Sequence, residues 1–225
     1  MISKLLSGAV KLYLRSQTEA AENLQVKIVG KNKQILKGCI PEIWLSCDRA
    51  IYQGLYLSQV ELNGTNIAIN LLEIIKKQPL KLLEPILVET QLKLNAADLQ
   101  ASLDSTLLQS GLSDLWQLIL ATQDAPELAD LQIEWQTIAI ADGLLHLTGI
   151  YRDTLNQTNQ LALSTEINLA DAHTLYLKPF NVNSSWHHHS PQKYIEIDLG
   201  TDVAIEQLKI ESEQITCSGK IKINN

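Results

Sequence analysis

Residues 55–70 read LYLSQVELNGTNIAIN. Apolar and polar residues alternate on both sides of Asn63-Gly64. Alternation with period two predicts β-strand, because successive side chains of a strand point to opposite faces. Asn-Gly tolerates the positive φ angles of a type I′ turn, so the stretch is expected to be a hairpin turning at Asn63-Gly64.

The same pattern extends outward in both directions. Leu24, Val26 and Ile28 alternate with polar neighbours, residues 34–40 read as a second strand, and Pro41 punctuates. Residues 43–51 are extended in pattern, with Trp44, Leu45 and Cys47 inside. Residues 71–78 predict a short helical piece stopped by Pro79, and residues 86–94 alternate again. At the start, residues 2–22 predict a helix. Ile2, Leu5, Leu6, Ala9 and Tyr13 fall near one face, and Lys4, Lys11 and Arg15 on another. A helix with an apolar and a basic face can lie on an anionic membrane surface, so those three cations are candidate membrane contacts. Packing of the helix on a sheet is the competing reading.

The texture changes at Asn95, which predicts an N-cap with Asp98 in the first turn. Leu99, Leu103, Leu107 and Leu108 continue a helical period, residues 113–122 predict a second helix, and Pro126 ends the zone. Strands then return around Leu131, Ile133 and Trp135, around Leu145 and Leu147, and along the row Leu161, Leu163, Thr165, Ile167, Leu169. Ile195 and Ile197, Leu208 and Ile210, and residues 215–223 complete the set. LQVKI with ILKGCI, LQIEW with LHLTGI, and LKIES with ITCSGKI form three similar pairs, the second member carrying Gly38, Gly149 or Gly219. Glycine there suits a bulge or bend, which helps a long sheet curl. The expected class is α+β: a long curved antiparallel sheet, a meander of hairpins, wrapping or packing on helices. A single domain over 1–225 is expected, with an N-terminal helix (1–22), a strand set (23–94), a helical segment (95–125) and a second strand set (126–225).

Bulk chemistry narrows the function. The net charge of −7 argues against nucleic-acid binding, which needs a basic face. Charged residues are 19% of the chain and hydrophobic ones 45%, with a single Phe and a single Met. A Leu- and Ile-rich interior fits an ordinary core and also a groove for acyl chains. Lys4 and Lys11 interrupt any export-type apolar run, and no stretch approaches the ~18 apolar residues of a membrane span. Three cysteines, Cys39, Cys47 and Cys217, then read as reduced thiols in a cytoplasmic protein.

No motif points to a reaction. Trp186-His187-His188-His189 has three potential metal ligands, but neighbours along a strand alternate sides and no Cys, Asp or Glu stands beside them. His146 and His173 stand alone, and Asp48-Arg49 and Tyr151-Arg152-Asp153 read as local ion pairs. His146 with Asp142 or Asp153 is the pairing a catalytic pocket would need. Ser113 lacks the second glycine of a nucleophile elbow. No phosphate loop, dinucleotide fingerprint or zinc motif is present. No enzyme activity, cofactor or metal is expected.

The run from Tyr13 to Asn70, YLRSQTEAAENLQVKIVGKNKQILKGCIPEIWLSCDRAIYQGLYLSQVELNGTNIAIN, resembles a bacterial, especially cyanobacterial, family grouped with the LmeA-like phospholipid-binding proteins. LKLLEPILVETQLKLNAADLQASLDSTLL (from Leu80) and LKIESEQITCSGKIKI (from Leu208) share the likeness. The resemblance implies a curved sheet wrapping helices, as in tubular lipid-binding folds whose concave apolar face holds acyl chains. It supplies no catalytic residue. Such relatives are typically exported, whereas this chain shows no export signal, so a cytoplasmic place, peripheral to a membrane, is expected. The implied function is non-enzymatic binding or transfer of a phospholipid in an apolar groove. The candidate lining is Leu55, Leu57, Ile67, Ile69, Leu145, Leu147, Leu163 and Ile167. A structural module that recruits partners through exposed strand edges is the rival reading.

Overall fold

The computed structural model describes residues 2–121, 132–152, 155–184 and 194–224. The run Trp186–His189, Pro126, Leu131 and Asp153 lie outside them. The fold is α+β and mostly antiparallel, but its strands form two sheets where the sequence pattern suggested one. The first has the order β1-β2-β3-β4-β11-β10, built from β1 (Ala20–Val29), β2 (Cys39–Tyr52), β3 (Leu55–Ala68), β4 (Ile86–Asn95), β10 (Val203–Glu211) and β11 (Gln214–Ile223). The second runs β5-β6-β7-β8-β9, from β5 (Ile133–Ala141), β6 (Leu144–Arg152), β7 (Thr158–Leu169), β8 (Thr174–Ser184) and β9 (Ile195–Asp198). The C-terminal hairpin returns to the first sheet, where β11 pairs with β4 from Gln214↔Asn95 to Ile223↔Ile86.

The expected turn at Asn63-Gly64 does not form. β3 runs unbroken through both residues, with Asn63 opposite Trp44 and Gly64 opposite Ile43. The turn lies ten residues earlier, at Gln53-Gly54, where φ is +49° and +75°. Both angles suit a type I′ turn, and Tyr52 pairs with Leu55 across it. Gly64 has a packing role: a Cβ there would stand 2.9 Å from Ile67 Cδ1 and 3.4 Å from Ile43 Cγ2. Residues 34–40 are also not one strand. The helix α2 (Asn32–Ile35) occupies their start, and Gly38 (φ +81°) turns the chain into β2. Pro41 lies inside β2, and a Cβ on Gly30 would meet its ring at 2.6 Å.

Two of the three repeat glycines do sit at bulges. Gly149 faces Trp135 where β5 shifts register before Thr137. Gly219 faces Ile205 where β10 shifts before Gln207. A Cβ on Gly219 would come within 2.2 Å of the Ala204 carbonyl oxygen, so the strands approach there only because the side chain is missing.

Helices cover one face of each sheet and give two cores. The helix α1 (Ile2–Gln17) packs on the first sheet through Leu6 and Val10, with Ile35, Ile40, Ile43, Ile67, Ile69, Leu71, Ile74 and Leu80. The short helix α3 (Leu71–Ile75) contributes to this core, and Leu5, expected on the inner face of α1, is half exposed. The second core joins α4 (Ala96–Ala101) and α5 (Thr106–Ala121) to the second sheet through Leu99, Leu112, Trp116, Ile119, Leu147, Leu161 and Leu163. Leu94, Ile210 and Ile215 of the first sheet pack against it. Hydrogen bonds tie the two parts together as well. The Gln100 Oε1 of α4 accepts the Ile138 N–H of β5 at 2.8 Å, and the Ile205 N–H of β10 donates to Ala172 O, between β7 and β8, at 2.7 Å.

Candidate functional site

Pleat alternation sorts β3 into two faces. Ser58, Val60, Leu62 and Gly64 form one, and Gln59, Glu61 and Asn63 the other. The Ser58 hydroxyl donates to the Asp98 carboxylate of α4 and accepts the Asn95 N–H at 2.8 Å, so the Ser58 face is the helix side. The opposite face is polar. There Gln59, Glu61, Gln91, Lys93 and Lys209 line an open recess of about 290 Å³, to which Leu92 and Cys217 also contribute atoms. A second polar recess, about 810 Å³, lies at the end of the second sheet by Asp104, Gln109, Glu134 and Arg152.

A small, partly open apolar cavity of about 90 Å³ lies on the helix side of the first sheet. α1 roofs it with Val10, Tyr13 and Leu14; β2, β3 and β4 floor it with Ile43, Leu45, Leu62, Ile67 and Val88. The segment between α3 and β4 closes one end, with Leu80 and Leu82 in the lining and Lys81 and Leu83 exposed. Asn70 holds that segment in place: Asn70 Oδ1 accepts the Lys81 N–H at 2.7 Å, and Asn70 Nδ2 donates to Pro79 O at 3.0 Å. A cavity walled by aliphatic carbons offers water no partners, so its contents are apolar or absent. Its volume is below the ~300 Å³ of an ordinary ligand pocket.

The apolar surface continues beyond the cavity. Cross-strand pairing sets Cys47, Val60, Leu92, Cys217 and Leu208 in one row across five strands. All five are half-buried, and none belongs to either core. The row lies between the core under α1 and the core under α4 and α5. Its two thiols are suited to an apolar lining. Burial pushes the Cys47 thiol above its ordinary pKa, with the Asp48 charge adding, and burial alone raises Cys217. Both therefore stay neutral at physiological pH.

The sequence candidates divide between these places. Ile67 and Ile69 line the cavity. Leu55 and Leu57 occupy the odd-numbered pleat shared by Gln59 and Glu61, and belong to neither core. Leu145, Leu147 and Leu163 are buried in the second core, and Ile167 packs at its edge. Lys11 is half-buried and Arg15 exposed on α1; the Lys4 side chain lies outside the described part. The row through Cys47 and Cys217 was not visible in the sequence, because 170 positions separate the two cysteines and only the register aligns them. His146 Nδ1 lies 2.8 Å from Ser164 Oγ across β6 and β7. Among the described residues no three metal-ligating side chains gather, and no helix is long and apolar enough to cross a membrane. β10, an edge strand, is partly occupied by its bond to Ala172.

The fold and site define an α+β protein of two antiparallel sheets, with a small apolar cavity between α1 and the first sheet. A profile of the LmeA-like phospholipid-binding family matches residues 1–220, so the chain belongs to that family. Membership supports lipid binding in general. No curated protein and no solved structure matches the chain.

Proposed function

We propose that the protein is a non-enzymatic carrier, peripheral to a membrane, that holds a phospholipid by its acyl chain in the trough of the first sheet. What supports this is the register: Val60 shares a β3 face with the cavity-lining Leu62, and Cys47 a β2 face with Leu45, so the half-buried row begins two residues from the apolar cavity. Along β3, the seven residue steps from Val60 to Ile67 span about 23 Å at ~3.3 Å per step. One leaflet of a bilayer core is ~15 Å thick, so this is long enough for an acyl chain. Each buried methylene contributes about 0.8 kcal/mol, so a smooth apolar lining suffices and no motif is required. The cavity is narrow in the free protein, and loading requires α1 or the segment carrying Leu80 and Leu82 to move outward.

The two row thiols report directly on occupancy. Loading with phospholipid is expected to slow maleimide labelling of Cys47 and Cys217 by about tenfold or more, because the chain covers both sulfurs. Cys39, on the pleat opposite the cavity-lining Ile40, serves as the internal comparison and keeps its rate. Peptide-level mass spectrometry after timed labelling reads all three. Equal rates at Cys47 and Cys217 with and without bound lipid would remove the trough from the account.

A further inference from the structure

Beside the closed end of the cavity, the surface is both greasy and basic. Leu36 at the end of α2, Leu72 and Ile75 of α3, and Leu83 are 60%, 74%, 53% and 56% exposed. Large aliphatics scattered singly over a surface are ordinary, but these four belong to two neighbouring segments. The Ile69 N–H donates to Gly38 O at 2.8 Å, and a Cβ on Gly38 would lie 3.8 Å from Leu71 Cβ, so the end of α2 abuts α3. The Leu83 N–H donates to Ala68 O at 2.9 Å, which seats the chain leading to β4 beside them.

Lysines are interleaved with these aliphatics. Lys31, Lys33, Lys37, Lys76, Lys77 and Lys81 are all exposed, and none enters the ion pairs found among the described residues. Residues 30–38 and 71–85 carry these six cations against Glu73 and Glu84, a local charge of +4 in a chain of net −7. Glu73 is engaged locally, accepting from Asn70 Nδ2 at 2.6 Å. Unpaired ammonium groups around protruding aliphatics match an anionic bilayer. The lysines meet lipid phosphates in the headgroup layer, and the aliphatics reach the acyl boundary below. An acidic protein surface would meet the charges but leave the four aliphatics in water.

We propose that α2, α3 and the segment leading to β4 form a docking tip for an anionic phospholipid bilayer, with the cavity closure formed by Leu80 and Leu82 facing the membrane. The orientation rests on the lipid-carrier reading; the docking itself does not. Flotation with vesicles of phosphatidylglycerol and phosphatidylcholine, against phosphatidylcholine alone, tests it. The wild type is expected to float with the anionic vesicles and to be released by high salt. Lys76→Gln/Lys77→Gln/Lys81→Gln is expected to weaken binding by about a hundredfold, from the stabilisation each lysine gives near an anionic surface. Leu72→Ser/Leu83→Ser, with the charge unchanged, is expected to weaken it at least tenfold. Lys11→Gln/Arg15→Gln should have a smaller effect.

All these positions are exposed or partly exposed, and circular dichroism with thermal melting checks that each variant is folded. Undiminished binding by both tip variants overturns the proposal. So does a loss confined to the lysine variant, which would mark simple charge adsorption, or binding that follows Lys11 and Arg15. Uptake of a short-chain phosphatidylglycerol below its micelle concentration separates the two readings. Tip variants that fail to float but still take up this lipid support the tip as a distinct site. Vesicle binding without such uptake would contradict the carrier reading and leave the tip supported.

Discussion

Leu92→Asp is expected to abolish phospholipid binding while leaving the fold in place. Leu92 lies at the centre of the apolar row, between Val60 and Cys217. It is half-buried in the free protein, so a carboxylate there keeps part of its hydration, and the expected loss of Tm is a few degrees. A bound acyl chain would cover it and remove that water. Covering even an uncharged polar group without a partner costs about 1–3 kcal/mol, and an ionised carboxylate costs more, so affinity should fall by more than about a hundredfold. Leu92→Ala is the informative comparison: it removes contacts but introduces no charge, and should weaken binding only modestly. Titration with a fluorescent phospholipid measures both. Equal binding by Leu92→Asp and wild type would place the ligand elsewhere.

Leu147→Ala should do the reverse. Leu147 is 0% exposed in the core under α4 and α5, and the cavity left behind cannot collapse among Ile138, Leu161, Leu163 and Trp116. Leu→Ala at such sites costs about 2–5 kcal/mol. For a chain of this size that is roughly a 10 °C fall in Tm. Lipid stoichiometry measured well below the transition should be unchanged, because this core is separate from the cavity under α1. A parallel loss of lipid at low temperature would show that the second core also lines the site. The pair of variants thus separates Leu145, Leu147 and Leu163, read from the sequence as groove lining, from Ile67 and Ile69.

The rows that alternate with period two were legible in the chain because burial on one face imposes them. β4, β7, β10 and β11 fall where Ile86–Leu94, Leu161–Leu169, Leu208–Ile210 and Ile215–Ile223 alternate. Turns were less legible. Asn63-Gly64 has the composition of a type I′ turn, yet the glycine is required by the crowding of Ile43 and Ile67. Gln53-Gly54, the turn that forms, carries a residue seldom placed at positive φ. Two matched alternating runs flanking it were the signal. Gly38, read as a bulge or bend, bends the chain between α2 and β2 in the left-handed region that glycine tolerates.

The site was harder to read, for reasons of register and distance. Nothing local shows that Cys47, Leu92 and Cys217 share a row, since β11 reaches β4 only after the second sheet is made. Near Leu55 and Leu57 the odd row of β3 is the more apolar, with Tyr56 and Ser58 opposite, yet the even row carries Leu62 to the cavity, so local composition points to the wrong face. The basic, aliphatic tip was overlooked because its two segments are 40 residues apart and each is unexceptional alone.

Native mass spectrometry of the gently purified protein tests the central claim most directly. One bound phospholipid per chain is predicted, released on denaturation, absent from Leu92→Asp and retained by Leu147→Ala. A wild-type protein that is lipid-free and takes up none from phosphatidylglycerol vesicles would contradict it.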